Sequence, residues 1–356
     1  MTATDVMTTS ALPQVTLTLE GVTTYVRMRK LLRPVILDVG FFVRPGEIVG
    51  LVGESGSGKS MTARTIAGAL PRGAVAEGVV GLGEENLLTV SRRRRREVQG
   101  KQIGMIFQDP KAYIDPLWRV EVHMTEGMRV HLGLSKSEAR ARAIDLLSAV
   151  GLDQPERRMR QFPEELSGGM LQRVMIAGAL SVEPSILLAD EATTALDVTT
   201  QAEIVSLLGR LRAERGLSVL FITHDLALAD QICDRICVMY AGRIVEVREG
   251  RGIFEDPLHP YTKDLLAARP NIRKRVARLP VIKGTPTSAM DAPSGCAFHP
   301  RCRFAVEACT TTFPQLTAVS GGFVRCIRAG EQLWSEPRAE KGQTASETEG
   351  NSAAGG

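Results

Sequence analysis

The sequence holds no apolar run approaching the roughly 20 residues that a membrane-spanning helix needs, so any membrane association is expected to come through a partner. Its N-terminal stretch, MTATDVMTTSALPQ, is polar and lacks the apolar region of a secretory signal, which points to a cytosolic protein. Aromatic residues make up only 4% of the chain and the net charge is only +4, too weak a basic balance to argue for nucleic-acid binding. The densest basic run, Arg92 to Arg96 followed by Glu97, is read as a solvated helix face or loop, with a nucleic-acid or lipid-headgroup contact as the alternative. There is no internal repeat and no heptad run. Cysteine is scarce, six in 356 residues, yet four of the six fall between Cys296 and Cys326. In a reducing cytosol such a cluster favours metal over disulfide.

What is present is a 44% hydrophobic, 24% charged chain, enough to bury a sizeable core. The stretches VTLTLEGVTTYV and PVILDVGFFV have strand character, and GEIVGLVG is a buried strand running into a glycine-rich loop and the helical SMTARTIAGAL. IGMIFQ, SILLAD, LSVLFITHD and ICVMYAGRIVEV, the last turning at Ala241-Gly242, are further strands, and residues 135–215 are otherwise helical in period. Strands alternating with helices predict an α/β fold with a mainly parallel sheet. Near Asp256-Pro257 the periodicity fades and Pro, Arg and Cys increase, so a boundary is placed at about residue 255. The predicted organisation is a disordered lead 1–14, an α/β domain 15–255, a small Cys-containing C-terminal domain 256–335, and a disordered polar tail 336–356.

GESGSGKS, Gly53 to Ser60, fits the phosphate-loop pattern G-x-x-x-x-G-K-[ST] and has the required context, after a strand and opening a helix. Gly56 and Gly58 let backbone N–H groups turn inward around phosphate oxygens, and the helix N-terminus adds partial positive charge. Nucleotide contacts are expected from Gly53, Glu54, Ser55, Gly56, Ser57, Gly58, Lys59, Ser60 and Met61, with Lys59 on the β/γ-phosphates and Ser60 on Mg2+. In SILLADE the apolar strand carries Asp190 to its C-terminal edge, where it would hold Mg2+, and Glu191 is placed to polarise a water against the γ-phosphate.

LSGGMLQR, Leu166 to Arg173, resembles the LSGGQ signature of the ATPase subunits of ABC transporters. Ser167, Gly168 and Gly169 precede a helix and form a second anion-binding helix start. The resemblance spans about residues 14–330 and implies a P-loop NTPase fold with a RecA-like core and a helical subdomain. It further implies a head-to-tail dimer in which each signature closes on the partner's nucleotide. Other positions match in order. Gln108 in IFQDP resembles the glutamine that senses Mg2+ and couples to the membrane subunits. Ala195-Leu196-Asp197 resembles the D-loop, His224 in FITHD the switch histidine at the γ-phosphate, and Tyr25 the aromatic that stacks on adenine. Two positions depart from the family pattern: Ala192 stands where proline is usual, and Met170 where glutamine is usual. Ala192 removes a rigid turn but no chemistry, so activity is expected to survive it.

Met170, DPLHPYTKDLLAA (256–268) and GCAFHPRC point to the oligopeptide, dipeptide and nickel importer branch, and to its D-type subunit. The resemblance implies an ATP-hydrolysing subunit, peripheral on the cytoplasmic face of a bacterial inner membrane. Its expected partners are a second, F-type ATPase subunit, two permease subunits and an extracytoplasmic solute-binding protein, with no nucleic acid. Di- or oligopeptides are the favoured solute, with nickel chelates and opines as alternatives. A soluble ABC ATPase of DNA repair or translation is the reading from another class. The cysteine spacing C-x5-C-x6-C-x16-C through Cys296, Cys302, Cys309 and Cys326 lacks the close pairs of a structural zinc site. It suits a [4Fe–4S] cluster, which tolerates unequal loops and occurs in some subunits this chain resembles. Zinc and free thiols remain the alternatives. Cys233 and Cys237 are expected to be buried small hydrophobes.

Overall fold

The computed structural model describes residues 16–192, 197–268 and 281–331. The expected lead 1–14 and tail 336–356 lie outside them, as do Ala195 and Leu196 of the D-loop. Two sheets organise the chain. The smaller is antiparallel and is built from β1 (Leu17–Met28), β2 (Leu31–Val43), β4 (Val75–Leu82) and β5 (Glu85–Asn86), in the order β2-β1-β4-β5. The larger has eight strands. They are β3 (Ile48–Val52), β6 (Ile103–Ile106), β7 (Ile186–Asp190), β8 (Ser218–Thr223), β9 (Arg235–Tyr240), β10 (Arg243–Glu249), β11 (Thr317–Val319) and β12 (Gly322–Val324), in the order β11-β12-β10-β9-β3-β8-β7-β6.

Five neighbours, β9-β3-β8-β7-β6, run parallel. Every residue of β3, β7, β8 and β9 is buried, which is why these strands read as continuous apolar runs without alternation. β10, β12 and β11 extend the sheet antiparallel, so the whole is mixed rather than mainly parallel at that edge. Parallel strands share one C-terminal edge, and the loops that leave it collect there. Val52 pairs with Thr223, Asp190 with Ile222 and Ile106 with Ala189, which sets the ends of four strands side by side.

Helices Val120–His131, Lys136–Ala149 and Gly168–Leu180 form a layer beside β6 and β7, packed through Met124, Met128, Leu147, Leu171 and Val174. Helix Lys136–Ala149 starts in a capping box: Ser135 Oγ accepts from the Glu138 N–H, and Glu138 accepts from the Ser135 N–H at 2.9 Å. The basic run lies on helix Arg92–Lys101. Arg92, Arg93 and Arg96 are exposed, whereas Arg94 forks onto Glu85 and Arg95 donates to the Leu88 carbonyl. The run is therefore partly a strut to β5 and only partly a solvated face.

The C-terminal segment is fused to the cassette. β11 and β12 complete the large sheet, and Phe298 packs with Tyr240 and Tyr261 at ring separations of 5.3 and 5.4 Å. The cluster that holds these rings also holds Val52, at the end of the strand that leads into the phosphate loop.

Candidate nucleotide site

β3 ends at Val52, and residues 53–58 form a loop before helix Lys59–Ile66. Gly58 has φ 110°, and a Cβ there would meet Ile36 Cγ2 and Met239 Cε at 2.9 Å, so both conformation and space demand glycine. No side chain caps this helix, which leaves its first N–H groups facing an incoming anion. Among the described residues the buried Ser57 hydroxyl also has no hydrogen-bond partner. Lys59 is buried and folds back, donating to the carbonyls of Gly53 and Glu54 at 2.8 and 2.9 Å. Burial pushes its ammonium pKa down, against the attraction of Glu191, Asp190 and Glu54.

Ser60 donates its hydroxyl to Asp190 Oδ1 at 2.8 Å. Burial raises the Asp190 carboxyl above its ordinary range, and the Ser60 hydrogen bond works against that rise. A hydroxyl and a carboxylate, both hard oxygens, suit Mg2+. Glu191, one residue past β7, sits at φ 49°, a left-handed conformation uncommon for a non-glycine residue. Its N–H donates to the Ile222 carbonyl at 3.0 Å, which anchors it to β8. Its Oε2 accepts from Gln108 Nε2 at 2.9 Å and lies 3.7 Å from His224 Nδ1. Loops after β6, β7 and β8 thus converge on one carboxylate. Ala192, in the place of the usual proline, is buried, and the φ of Glu191 is held without a proline beside it.

The other expected positions are placed apart. Ser167 caps helix Gly168–Leu180, accepting from the Met170 N–H at 3.3 Å. Ser167 and Gly168 are exposed, and among the described residues no hydrogen bond joins the signature turn to the phosphate loop. A Cβ on Gly169 would meet Thr200 Cγ2 at 3.3 Å, so the turn abuts the helix after the D-loop. Asp197 caps that helix, Val198–Arg215. Tyr25 is half-buried on β1, opposite Pro34 and Val75. Its neighbour Thr24 touches the phosphate-loop helix, with its hydroxyl 3.0 Å from that of Thr65.

Sequence reasoning missed what holds Glu54. Its N–H donates to Tyr261 Oη at 2.8 Å, and its carboxylate takes both guanidinium arms of Arg301 at 2.7 and 3.0 Å. A charged residue inside a glycine-rich loop was the one available signal. The partners lie 207 and 247 residues away.

Cys296, Cys302, Cys309 and Cys326 line a single cavity, together with His259 and Phe298. The Cys296 N–H donates to the Cys309 carbonyl at 2.9 Å, which closes one side. Burial pushes the Cys296 thiol up to about 11 and the Cys302 thiol to about 12. Among the described residues no group of three or more His, Cys, Asp or Glu is arranged to hold a metal ion. Cys237 is fully buried in the core, as expected of a small hydrophobe, whereas Cys233 is only half-buried and packs against Gly50.

Comparisons with known proteins agree with this geometry. A profile of the ABC transporter family matches residues 36–194, and one of the oligopeptide/dipeptide transporter C-terminal region matches residues 245–309. The chain is 43% identical over 326 residues to a protein of Brucella abortus (strain 2308) provisionally named a peptide import ATP-binding protein, covering 88% of this chain and 96% of that one. It is 42% identical over 297 residues to the oligopeptide transport ATP-binding protein OppD of Salmonella typhimurium, covering 83% and 88%. Among solved structures, an ATP-binding cassette in a dimeric post-hydrolysis state bound to ADP and Pi superposes with a TM-score of 0.60 at 29% identity, over 66% of this chain and 99% of that chain. The fold of the parallel-sheet core, the phosphate loop and two family profiles lead to one assignment: the chain belongs to the ATP-hydrolysing subunits of ABC transporters that carry the oligopeptide/dipeptide transporter C-terminal region.

Proposed function

We propose that this subunit energises the import of di- or oligopeptides: peptide and oligopeptide stand in the names of its relatives, and dipeptide in the description of the C-terminal profile. The observation that carries the hydrolytic half is the convergence of Gln108 and His224 on the Glu191 carboxylate, beside Ser60 and Asp190. In this reading the phosphate-loop N–H groups and Lys59 bind the β/γ-phosphates. Ser60 and Asp190, with Gln108 beside them, would hold Mg2+, which when bound would supply charge shielding for the phosphates. Glu191 orients the attacking water, and His224 contacts the γ-phosphate. Tyr25 stacks on adenine.

The exposure of Ser167 and Gly168 away from the chain's own phosphate loop supports a split site, in which they serve a nucleotide on a second ATPase subunit. We assign that place to an F-type subunit. Tyr113, Leu117 and Trp118 follow Gln108 and are exposed apolar residues suited to permease contact. Among the described residues no helix is long and apolar enough to cross a membrane. The subunit is then peripheral, on the cytoplasmic face beneath two permeases, with an extracytoplasmic binding protein delivering the solute. Peptide-stimulated ATP hydrolysis by the assembled transporter in liposomes, with labelled peptide accumulating, tests this reading. Stimulation by a nickel chelate or opine and not by peptide would reassign the solute.

We further propose the division at about residue 255, with 256–335 as a C-terminal unit built on the cassette's own sheet. Within it we propose a [4Fe–4S] cluster on Cys296, Cys302, Cys309 and Cys326; what supports this reading is that all four line one cavity, although the described residues hold no group of three or more His, Cys, Asp or Glu arranged around a single metal ion. Bound there, it would staple a segment whose strands are only three residues long. Anaerobic purification with iron and sulfide analysis tests it: about four irons per chain supports the cluster, and one zinc in a colourless protein refutes it.

A further inference from the structure

Glu54 is the second residue of the phosphate loop, and each of its polar groups is engaged. Its N–H donates to Tyr261 Oη, and its carbonyl accepts from Lys59 Nζ at 2.9 Å and from the Ser57 N–H at 3.2 Å. Its carboxylate is gripped in a fork by Arg301. Both gripping residues come from outside the phosphate-binding core. Tyr261 lies on helix Pro260–Ala267, and Arg301 sits in the short turn His299–Arg301 between Cys296 and Cys302.

The Arg301 side chain is only 5% exposed and that of Glu54 20%. Arg301 is itself aimed by its surroundings. Its Nε donates to the Lys283 carbonyl at 3.0 Å, and its guanidinium lies over the Tyr240 and Phe298 rings at 5.8 and 5.9 Å. A planar fork held from behind and closing on a carboxylate is a directional contact, unlike a flexible surface pair.

Two consequences follow from charge. A polyphosphate entering this loop meets Glu54 as a like charge at close range, and Arg301 cancels that charge. Lys59 rests on the Gly53 and Glu54 carbonyls, which leaves its third N–H for phosphate, so the position of Glu54 sets where the ammonium is held. We propose that Arg301, with Tyr261, is a positioning residue for ATP: the C-terminal segment holds Glu54 in place and neutralises it, and so sets the nucleotide affinity of the phosphate loop. This rests on the reading of the loop as an ATP site.

The test measures binding of a fluorescent ATP analogue with Mg2+ to the full chain, and ATP hydrolysis by the assembled transporter. R301Q, which keeps side-chain length and removes the charge, is expected to weaken binding about fivefold to tenfold, the scale of one nearby charge in a partly buried site. In the transporter it should raise KM for ATP and change kcat by less than about twofold. R301K should recover more than half of the loss on a logarithmic scale. E54Q alone should tighten binding, and E54Q/R301Q should return to within about twofold of wild type, because the charge that Arg301 cancels is then gone.

Unchanged affinity in R301Q overturns the proposal. So does a double variant as weak as R301Q, which would make the pair a structural strut without influence through charge. Should R301Q fail to fold, E54Q decides alone, since unchanged or weaker binding there contradicts the charge argument. Failure of the wild-type chain to bind the analogue would instead refute the ATP site itself, which separates the two readings.

Discussion

The chain carries two glycine-rich helix starts, and they differ in what faces them. The first, at Gly58, has no side-chain cap, a buried lysine at its first position and the carboxylates of Asp190 and Glu191 close by. The second, at Ser167, is capped by its own serine and is exposed to solvent. Both offer N–H groups and dipole charge to an anion. Only the first is supplied within the chain with a lysine, a hydroxyl and acids. The lesson is that a helix start makes an anion site available, and its surroundings decide whether one chain can use it. In the proposed split site, the second start is the half that a partner's nucleotide would complete.

The comparison can be broken in several ways. Glu191→Gln should have the largest effect. It removes the group proposed to orient water and leaves the phosphate loop untouched, so turnover by the assembled transporter should fall by about a hundredfold or more while ATP binding persists. Ser167→Arg should lower turnover of the complex by roughly tenfold or more, through a partner's nucleotide. Binding of ATP to the isolated chain should meanwhile stay within about twofold, and a loss there would mean that Ser167 serves its own loop.

Tyr261→Phe sharpens the comparison by loosening the first start alone. It removes one hydrogen bond to the Glu54 N–H, worth about 1 kcal/mol, and should lower the melting temperature by roughly 2–4 °C. The smallest effect concerns Glu246, which lies behind the site and accepts from the N–H groups of Leu258 and His259 at 2.8 Å. Burial raises its carboxyl from the ordinary 4.5 to about 7. The folded state therefore penalises the charged form. The contribution of this group to stability is highest below pH 4.5 and is lost as pH rises through 7. Glu246→Gln should gain melting temperature relative to wild type as pH goes from about 5 to about 8. A difference that is flat with pH would contradict the shift.

Much of this was legible in the sequence, and the reasons are physical. Fully buried parallel strands leave uninterrupted apolar runs, so β3, β7, β8 and β9 stood out, and with them the edge where Asp190, Glu191 and His224 gather. β4 was not legible, because VAEGVVGL carries a glutamate and two glycines and only its last three residues are buried. β11 and β12 span three residues each, too short for any period to show. The convergence of the four cysteines was suggested by clustering, but Cys326 arrives only because β12 pairs with β10. The Arg301–Glu54 fork leaves only the charge of Glu54 in a glycine-rich loop as a local trace, because the contact depends on how the C-terminal segment packs over Tyr240.

In the proposed arrangement this chain holds one complete nucleotide-binding loop and half of a hydrolytic site. The most direct measurement is ATP hydrolysis per chain as a function of protein concentration, first for the purified subunit alone and then with its partner ATPase and permeases. The account predicts slow hydrolysis by the dilute subunit, rising with concentration or with partner, and full turnover only in the assembly. Full activity that is independent of concentration, from a species shown to be monomeric, would contradict it.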